Sequence, residues 1–191
     1  MQPELQIVSI GIGGAKLLAH LETDFDNVQY LAIDVDHTAL ALARAGGAAT
    51  LQLQVSEARR SGPAELQQAL LDRAGELHAL TQPIRLTFLV ANLAEPIASA
   101  IAPSLAALLR DGGSRVHAIV VVPHAVLSRK TAQRAGVALN QLTARCDSVS
   151  MPQLSHNTED LTVQDYLDQL DRMQLRQLRD AIAEHDIEYL E

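Results

Sequence analysis

The chain has 191 residues, of which 48% are hydrophobic and 3% aromatic, and its formal net charge is -8. This length and apolar content suffice for one α/β domain with a buried core, which excludes a chain disordered over its whole length. An acidic surface repels phosphate backbones, and the scarcity of aromatic side chains removes base-stacking platforms. The composition therefore argues against binding of DNA or RNA.

The sequence also favours a cytoplasmic protein that does not insert into a membrane. Cys146 is the one cysteine, so no intramolecular disulfide can form, as is usual in a reducing compartment. Residues 1–4 lack the basic-then-apolar layout of a secretion signal. The longest purely apolar run, 118–123, has the length of a strand and is too short to span a bilayer.

Strand-length apolar runs alternate with amphipathic segments along the chain. This pattern predicts an α/β fold with a doubly wound, mainly parallel sheet flanked by helices. The predicted strands are 5–10, 28–33, 50–54, 84–91, 116–122 and 147–151. The predicted helices are 16–22, 38–45, 63–80, 96–110, 129–145 and a long last helix at about 162–185. Thr162 and Asp165 form an acidic capping box at the start of this last helix. No composition break marks a second domain, so residues 1–191 are predicted to form a single one.

Glycines follow the first predicted strand. Gly11, Gly13 and Gly14 precede a helix, and glycines in that position let a phosphate approach the backbone at a helix N-terminus. Lys16 stands where the third glycine of the dinucleotide fingerprint would be. The segment is therefore equally compatible with an ordinary tight turn.

Two acids lie at the end of the second predicted strand, at the edge where parallel sheets bind ligands. Asp34 ends that strand and Asp36 lies two residues further on. An acid here can bind the ribose of an adenosine cofactor, or it can cap the helix that starts near Thr38. The histidines show no metal-ligand spacing with a third ligand, and Cys146 is predicted to be a buried small hydrophobe that starts a strand.

Several segments together resemble FtsZ, the bacterial tubulin homologue. Residues 10–14 look like its first glycine loop, shortened by about two glycines. Residues 30–36 resemble the family's Phe-Ile-Ala-Val-Asn-Thr-Asp, and residues 88–103 align without a gap to its signature strand, loop and helix. Residues 161–167 look like the start of its long central helix. The resemblance covers nearly the whole chain but only the N-terminal half of the family, and it implies a Rossmann-like domain with GTP or GDP as a possible ligand.

The signature loop departs from the family. Residues 94–100 replace the Gly-Gly-Gly-Thr-Gly-Thr-Gly that aims backbone N–H groups and hydroxyls at the phosphates. Glu95 places a negative charge there, Pro96 lacks an N–H, Ile97 blocks close approach, and Ser99 is the one remaining hydroxyl. Each lost contact could cost on the order of 1–3 kcal/mol, so we expect no GTP hydrolysis and no required cofactor.

The resemblance also implies base contacts, because Asp171 falls where the family reads guanine and Leu167 where an aromatic side chain stacks on it. The residues predicted to form a working or vestigial nucleotide pocket are Gly11, Gly13, Gly14, Asp34, Asp36, Asn92, Ser99, Leu167 and Asp171.

A smaller anion site is an alternative to a nucleotide pocket. Lys16, Arg59, Arg60 and Ser99 could rebuild such a site, although charges of this kind are more often simply exposed.

The last helix suggests a partner. In the family it packs between two domains, and a neighbouring subunit supplies a catalytic acid from the start of the second domain. The sequence stops at Glu191, so we expect that acid and that domain to be absent. Leu175, Leu178 and Ile182 then form a bare apolar stripe, which predicts self-association or a protein partner.

Three functional hypotheses follow. The first is a non-catalytic FtsZ-like protein that acts by protein contact, by family analogy in cell division or cytoskeletal regulation. The second is a GTP-binding switch that forms no filaments. The third is a Rossmann-type binder of an adenosine cofactor such as NAD or S-adenosylmethionine, with Asp34 on the ribose.

Overall fold

A computed structural model describes residues 3–21, 25, 27–56, 62–123, 127–152 and 162–188, with side chains in the last helix described up to residue 184. Its centre is a six-stranded sheet with the order β3-β2-β1-β4-β5-β6, in which every neighbouring pair is parallel. The strands are β1 (Leu5–Ile10), β2 (Val28–Asp34), β3 (Ala49–Gln52), β4 (Leu86–Asn92), β5 (Arg115–Val121) and β6 (Ser148–Ser150). The predicted sheet is confirmed, with parallel pairing throughout.

Seven helices connect or follow these strands within the described residues. They are α1 (Gly11–Ala19), α2 (His37–Ala45), α3 (Pro63–Asp72), α4 (Ala74–Thr81), α5 (Pro96–Asp111), α6 (Arg129–Arg145) and α7 (Val163–Glu188). The predicted start of the first helix at Lys16 is wrong, because the glycines themselves form its first turn.

The single helix predicted over 63–80 is also wrong, since Arg73 separates α3 from α4. Gly75, a poor helix former, follows the break. Leu70 and Leu77 are both buried on its two sides, so the apolar spacing continues across it and conceals it in the sequence.

The two faces of the sheet are both covered. Val8 and Leu89 point into a core shared with α3, α4, α5 and α6. Ile7 and Phe88 point the other way, into a core shared with α1, α2 and α7. Alternate residues of the same strands therefore serve opposite cores, as expected for a doubly wound parallel sheet.

Helix α7 is part of the second core. Leu178 and Ile182 are 0% exposed, and Leu175 packs against the same cluster. The predicted bare apolar stripe is therefore wrong, because the domain itself covers this face of the helix. Thr162 caps the start of α7, since its Oγ1 accepts from the Asp165 N–H at 3.1 Å, and the Asp165 carboxylate accepts from the Thr162 hydroxyl and not, as the predicted capping box requires, from its backbone N–H.

A buried amide side chain ties α7 to the carboxyl ends of two strands. Gln174 is 4% exposed. Its Nε2 donates to the carbonyl of Ile119 at 2.7 Å and lies 3.4 Å from the carbonyl of Ala91. These bonds fix the helix against β4 and β5 beside the edge where the predicted site lies.

Cys146 is buried, as predicted, but it ends α6 and does not start a strand. Burial is the main cause that raises the pKa of its thiol to about 11, and the charge of Asp147 adds to the increase. Across the described residues, no helix is both long and apolar enough to cross a membrane.

Candidate functional site at the carboxyl edge of the sheet

The carboxyl ends of three central strands bring the predicted site residues together. In the register of the sheet, Ile10 of β1 lies beside Ile33 of β2 and Ala91 of β4. The chain leaves β1 into α1 on one face and leaves β4 toward α5 on the other. A crevice between strands whose connections diverge in this way is the usual ligand site of an open parallel sheet.

The carboxylate of Glu95 occupies this crevice. Its Oε2 accepts a hydrogen bond from the Ile12 N–H at 3.0 Å, and its Oε1 accepts one from the Gly13 N–H at 2.9 Å. First-turn N–H groups have no acceptor within their own helix, and the helix dipole favours a negative charge there. We call the backbone of Gly11, Ile12 and Gly13 the amide cradle. It holds an internal anion where an anionic ligand would bind.

The glycines are required by this contact and by the sheet. Gly11 has a φ of +80°, and a β-carbon there would overlap the Glu95 carboxylate. At Gly13 a β-carbon would lie 2.7 Å from Glu95 Oε1. Gly14 has a different role, because a β-carbon there would lie 2.8 Å from the Cβ of Ser9 in β1. Two glycines therefore shape the amide cradle, and the third permits close packing of helix and strand.

The environment of Glu95 raises the pKa of its carboxyl to about 7. Burial is the largest cause, and the charges of Asp34 and Asp171 add to it, whereas the hydrogen bonds from Gly13 and Ile12 oppose it. Above this pH the carboxylate carries a full negative charge beside two other acids. An incoming phosphate would therefore meet electrostatic repulsion.

The acids at the carboxyl end of β2 accept hydrogen bonds from the backbone of the loop that follows. Asp34 is 5% exposed, and its Oδ1 accepts from the N–H groups of Val35 and Asp36, the latter at 3.0 Å. Burial is the main cause that raises the pKa of Asp34. The carboxylate of Asp36 accepts from the Thr38 N–H at 2.8 Å, which confirms the alternative prediction of a helix cap.

The loop from β4 to α5 is closed by its own hydrogen bonds. Asn92 Oδ1 accepts from the Ala94 N–H at 3.0 Å, and the Asn92 carbonyl accepts from the Glu95 N–H at 3.0 Å. Ser99 is buried, and its hydroxyl lies 3.0 Å from the Glu95 carbonyl and 3.1 Å from that of Pro96. The one hydroxyl expected to reach a phosphate therefore bonds within α5 instead.

An open cleft lies beside the amide cradle, between α1 and α7. Its volume is about 330 Å³. The lining residues are Gly13, Lys16, Leu17, His20, Asp168, Asp171, Arg172 and Leu175. Partial burial is the main cause that raises the pKa of Asp171, while the charge of Lys16 opposes the increase.

The cleft includes some predicted residues and lacks others. Asp171, predicted for a nucleotide pocket, and Lys16, predicted for an anion site, both line it. Leu167 instead packs with Val121, Tyr166 and Leu170 in a separate apolar cluster. Arg59 and Arg60, proposed for a rebuilt anion site, lie outside the described residues.

Sequence reasoning missed Asp168, Arg172 and His20 as lining residues. The first two lie one turn apart on α7, on either side of Asp171 in the sequence, so helical spacing would have revealed them once α7 was placed beside α1. No cluster of three or more His, Cys, Asp or Glu side chains in the described parts of the chain is arranged to hold a metal ion.

Comparison with known proteins identifies the architecture. No protein-family model and no curated protein sequence matches the chain. Among solved structures, an FtsZ variant from M. jannaschii matches 93% of this chain with a TM-score of 0.82 and 17% identity, over 55% of its own chain. CetZ2 from Haloferax volcanii, solved as a GTPγS-bound protofilament, matches 93% with a TM-score of 0.74 and 17% identity, over 57% of its own chain.

TubZ of Clostridium botulinum phage c-st also matches 90% of this chain, with a TM-score of 0.70 and 15% identity, over 58% of its own chain. The chain therefore spans little more than half the length of the structures that it resembles. At these identities the likeness concerns the fold, and activity has to be argued from the residues of the site.

Proposed function

We propose that this chain, which has the α/β fold of the FtsZ/tubulin N-terminal domain, is an FtsZ-like protein that does not hydrolyse GTP and acts through contacts with other proteins. One observation carries the proposal. The Glu95 carboxylate accepts both amide hydrogen bonds of the cradle, from Ile12 and Gly13. A nucleotide phosphate would have to displace an anion that is covalently part of the protein.

Displacement is unfavourable for two reasons. The ligand must break two hydrogen bonds to a charged group, each worth about 1.5–3 kcal/mol, before it forms its own. It must also approach the acids Asp34 and Asp171, whose charges already act on Glu95. The surrounding loop supplies few hydrogen-bond donors to a phosphate, since Pro96 has no N–H and the Ser99 hydroxyl bonds within α5.

The proposed partners are a second copy of the chain or a filament-forming protein. CetZ2 was solved as a protofilament, so structures with this fold include an assembled form. A role in cell division or cytoskeletal regulation rests on the FtsZ likeness alone.

Calorimetry with GTP and GDP at pH 8 tests the proposal, because Glu95 is ionised there. We expect no binding to the unaltered protein at nucleotide concentrations up to about 1 mM. Micromolar binding together with turnover of GTP would overturn the proposal.

A variant tests the internal anion itself. Glu95→Ala empties the amide cradle without adding a glycine, so we expect pyrophosphate to raise the melting temperature of this variant and not that of the unaltered protein. Glu4→Gln, which removes an exposed acid next to the opposite end of β1, is the matched control and should behave like the unaltered protein. Equal stabilisation of all three proteins by pyrophosphate would show that the Glu95 carboxylate does not block anion binding at the amide cradle.

A second candidate function is a GTP-binding switch that forms no filaments. The open cleft beside Gly13, with Asp171 and Lys16 in its wall, is the observation that favours it. Guanine nucleotide released from the purified protein and identified by chromatography would support this candidate. Asp171→Ala should then weaken the preference for guanine, whereas Asp180→Ala, an exposed change further along α7, should not.

A further inference from the structure

A groove between α3, α5 and α6 lies on the face of the sheet opposite to the cleft. Its volume is about 380 Å³, and its lining includes Gln67, Lys130, Gln133, Arg134, Val137 and Gln141. No carboxylate is among the described residues that line it. Helix α6 itself contains four basic residues and no acidic one, in a chain whose net charge is -8. We propose that this groove binds a small oxyanion, a carboxylate or a phosphate, carried on a short apolar body.

Arg134 supplies the first argument. Its Nη2 donates to the carbonyl of Ala94 at 2.7 Å. Its Nε is buried and has no hydrogen-bond partner within the described part of the chain. A buried donor on a charged group is costly when it lacks an acceptor, and a guanidinium can present two parallel N–H groups to one oxyanion. An oxyanion in the groove would supply the missing acceptor.

Lys130 supplies the second argument. It lies four residues before Arg134 on α6, so the two cations are neighbours on one face of the helix and repel each other. Neither forms an ion pair with another described residue. A negative charge held between them would turn this repulsion into two attractions.

The other lining residues indicate that part of the ligand is apolar. Val137 is 52% exposed and lies beside Ala138 and Pro63 in the lining, so part of the wall is apolar. The volume falls within the range of small-ligand sites. These features favour an anion with a short hydrocarbon part over a bare inorganic ion. The inference does not depend on whether the amide cradle binds a nucleotide.

Calorimetry with butyrate and with inorganic phosphate tests this site, the two probes separating a carboxylate from a phosphate source. We expect at least one probe to bind the unaltered protein, with butyrate favoured if the apolar wall contributes. Lys130→Gln should weaken binding about tenfold, since it removes an exposed charge without disturbing the core. Arg134→Lys keeps the charge but removes the paired N–H groups, and it should weaken binding similarly.

Arg145→Gln, at the other end of α6, is the matched control and should leave binding unchanged. Thermal melts of each variant establish that it is folded. The proposal is overturned if neither probe binds, or if the Lys130, Arg134 and Arg145 variants bind as tightly as the unaltered protein.

Discussion

The carboxylate of Glu95 and the backbone of Gly13 fit each other closely. The N–H of Gly13 donates to Oε1 at 2.9 Å, and a β-carbon at Gly13 would lie 2.7 Å from that same oxygen. The residue that fills the amide cradle thus also leaves no room for a β-carbon at Gly11 or Gly13. Several measurable consequences follow from this contact and from the packing around it.

Adding a β-carbon to the cradle should displace the carboxylate. We expect Gly13→Ala to lower the free energy of unfolding by about 1–3 kcal/mol, because a buried charged acceptor loses its amide partners. Urea unfolding measures this. Gly75→Ala in α4 is the control, since nothing lies within 4 Å of the added atom. That change should instead stabilise the protein by roughly 0.5–1 kcal/mol, as replacement of a helical glycine usually does. Similar effects of the two changes would contradict the expectation.

The raised pKa of Glu95 predicts that stability falls as pH rises. The folded state holds this proton up to about pH 7, whereas the ordinary pKa of a glutamate is 4.5. The folded state therefore binds more protons in this window, and the free energy of unfolding should decrease by at most about 3 kcal/mol between pH 4.5 and 7. Urea unfolding across this range measures the slope.

Two variants assign this pH dependence to its source. Glu95→Gln should remove most of the slope, because the amide does not titrate, while Glu4→Gln should retain it. The raised pKa values of Asp34 and Asp171 act in the same direction, so they would leave a residual slope. An unchanged slope in the Glu95 variant would show that another group is responsible.

The buried side chain of Gln174 should contribute measurably to the free energy of unfolding. Replacing it with Leu removes the donor that reaches the carbonyls of Ile119 and Ala91, so we expect a loss of about 1–3 kcal/mol in the free energy of unfolding. Gln164→Leu on the exposed face of α7 is the matched change and should alter stability by about 0.5 kcal/mol or less. Equal effects in chemical denaturation would mean that the buried amide does not fix the helix.

The packing of α7 predicts that its apolar stripe stabilises the domain. Ile182→Ala creates a cavity in the core beside α1 and should cost about 2–5 kcal/mol in thermal or urea unfolding. Val163→Ala near the start of the same helix changes a side chain that is 58% exposed and should have little effect. If Ile182→Ala instead leaves stability unchanged and alters only association, α7 would have to be a partner surface after all.

Local signals in the sequence were sufficient to predict much of the fold. The bounds of α6 agree with the prediction of 129–145, because Ser128 caps its start and the apolar spacing is regular. The strands were predicted within a few residues, and the signal was clearest for β1, β4 and β5, in which nearly all residues are buried. The first turn of α1 was missed because glycine is a poor helix former, and the contact of this turn with Glu95 involves a residue far away in the sequence.

The site was predicted only in part, because its contacts join residues that are far apart in the sequence. A negative charge in the phosphate loop could be read from Glu95, but its contact with Ile12 joins residues 83 positions apart and depends on how the strands are ordered. Likewise, the sequence shows an apolar stripe containing Leu178 and Ile182 but not what covers it. Here the sheet and α1 cover it, as the burial of both side chains demonstrates.

Helices α1 and α5 lie on opposite faces of the sheet, so the Glu95 contact joins the two helical layers across its edge. Amide hydrogens in the first turn of a helix usually exchange freely with water, because no backbone acceptor protects them. Those of Ile12 and Gly13 are held by a side chain from the opposite layer. Hydrogen exchange at these two positions thus reports whether the two helical layers remain docked. Among the described contacts, no other first-turn amide of α1 bonds to the opposite layer.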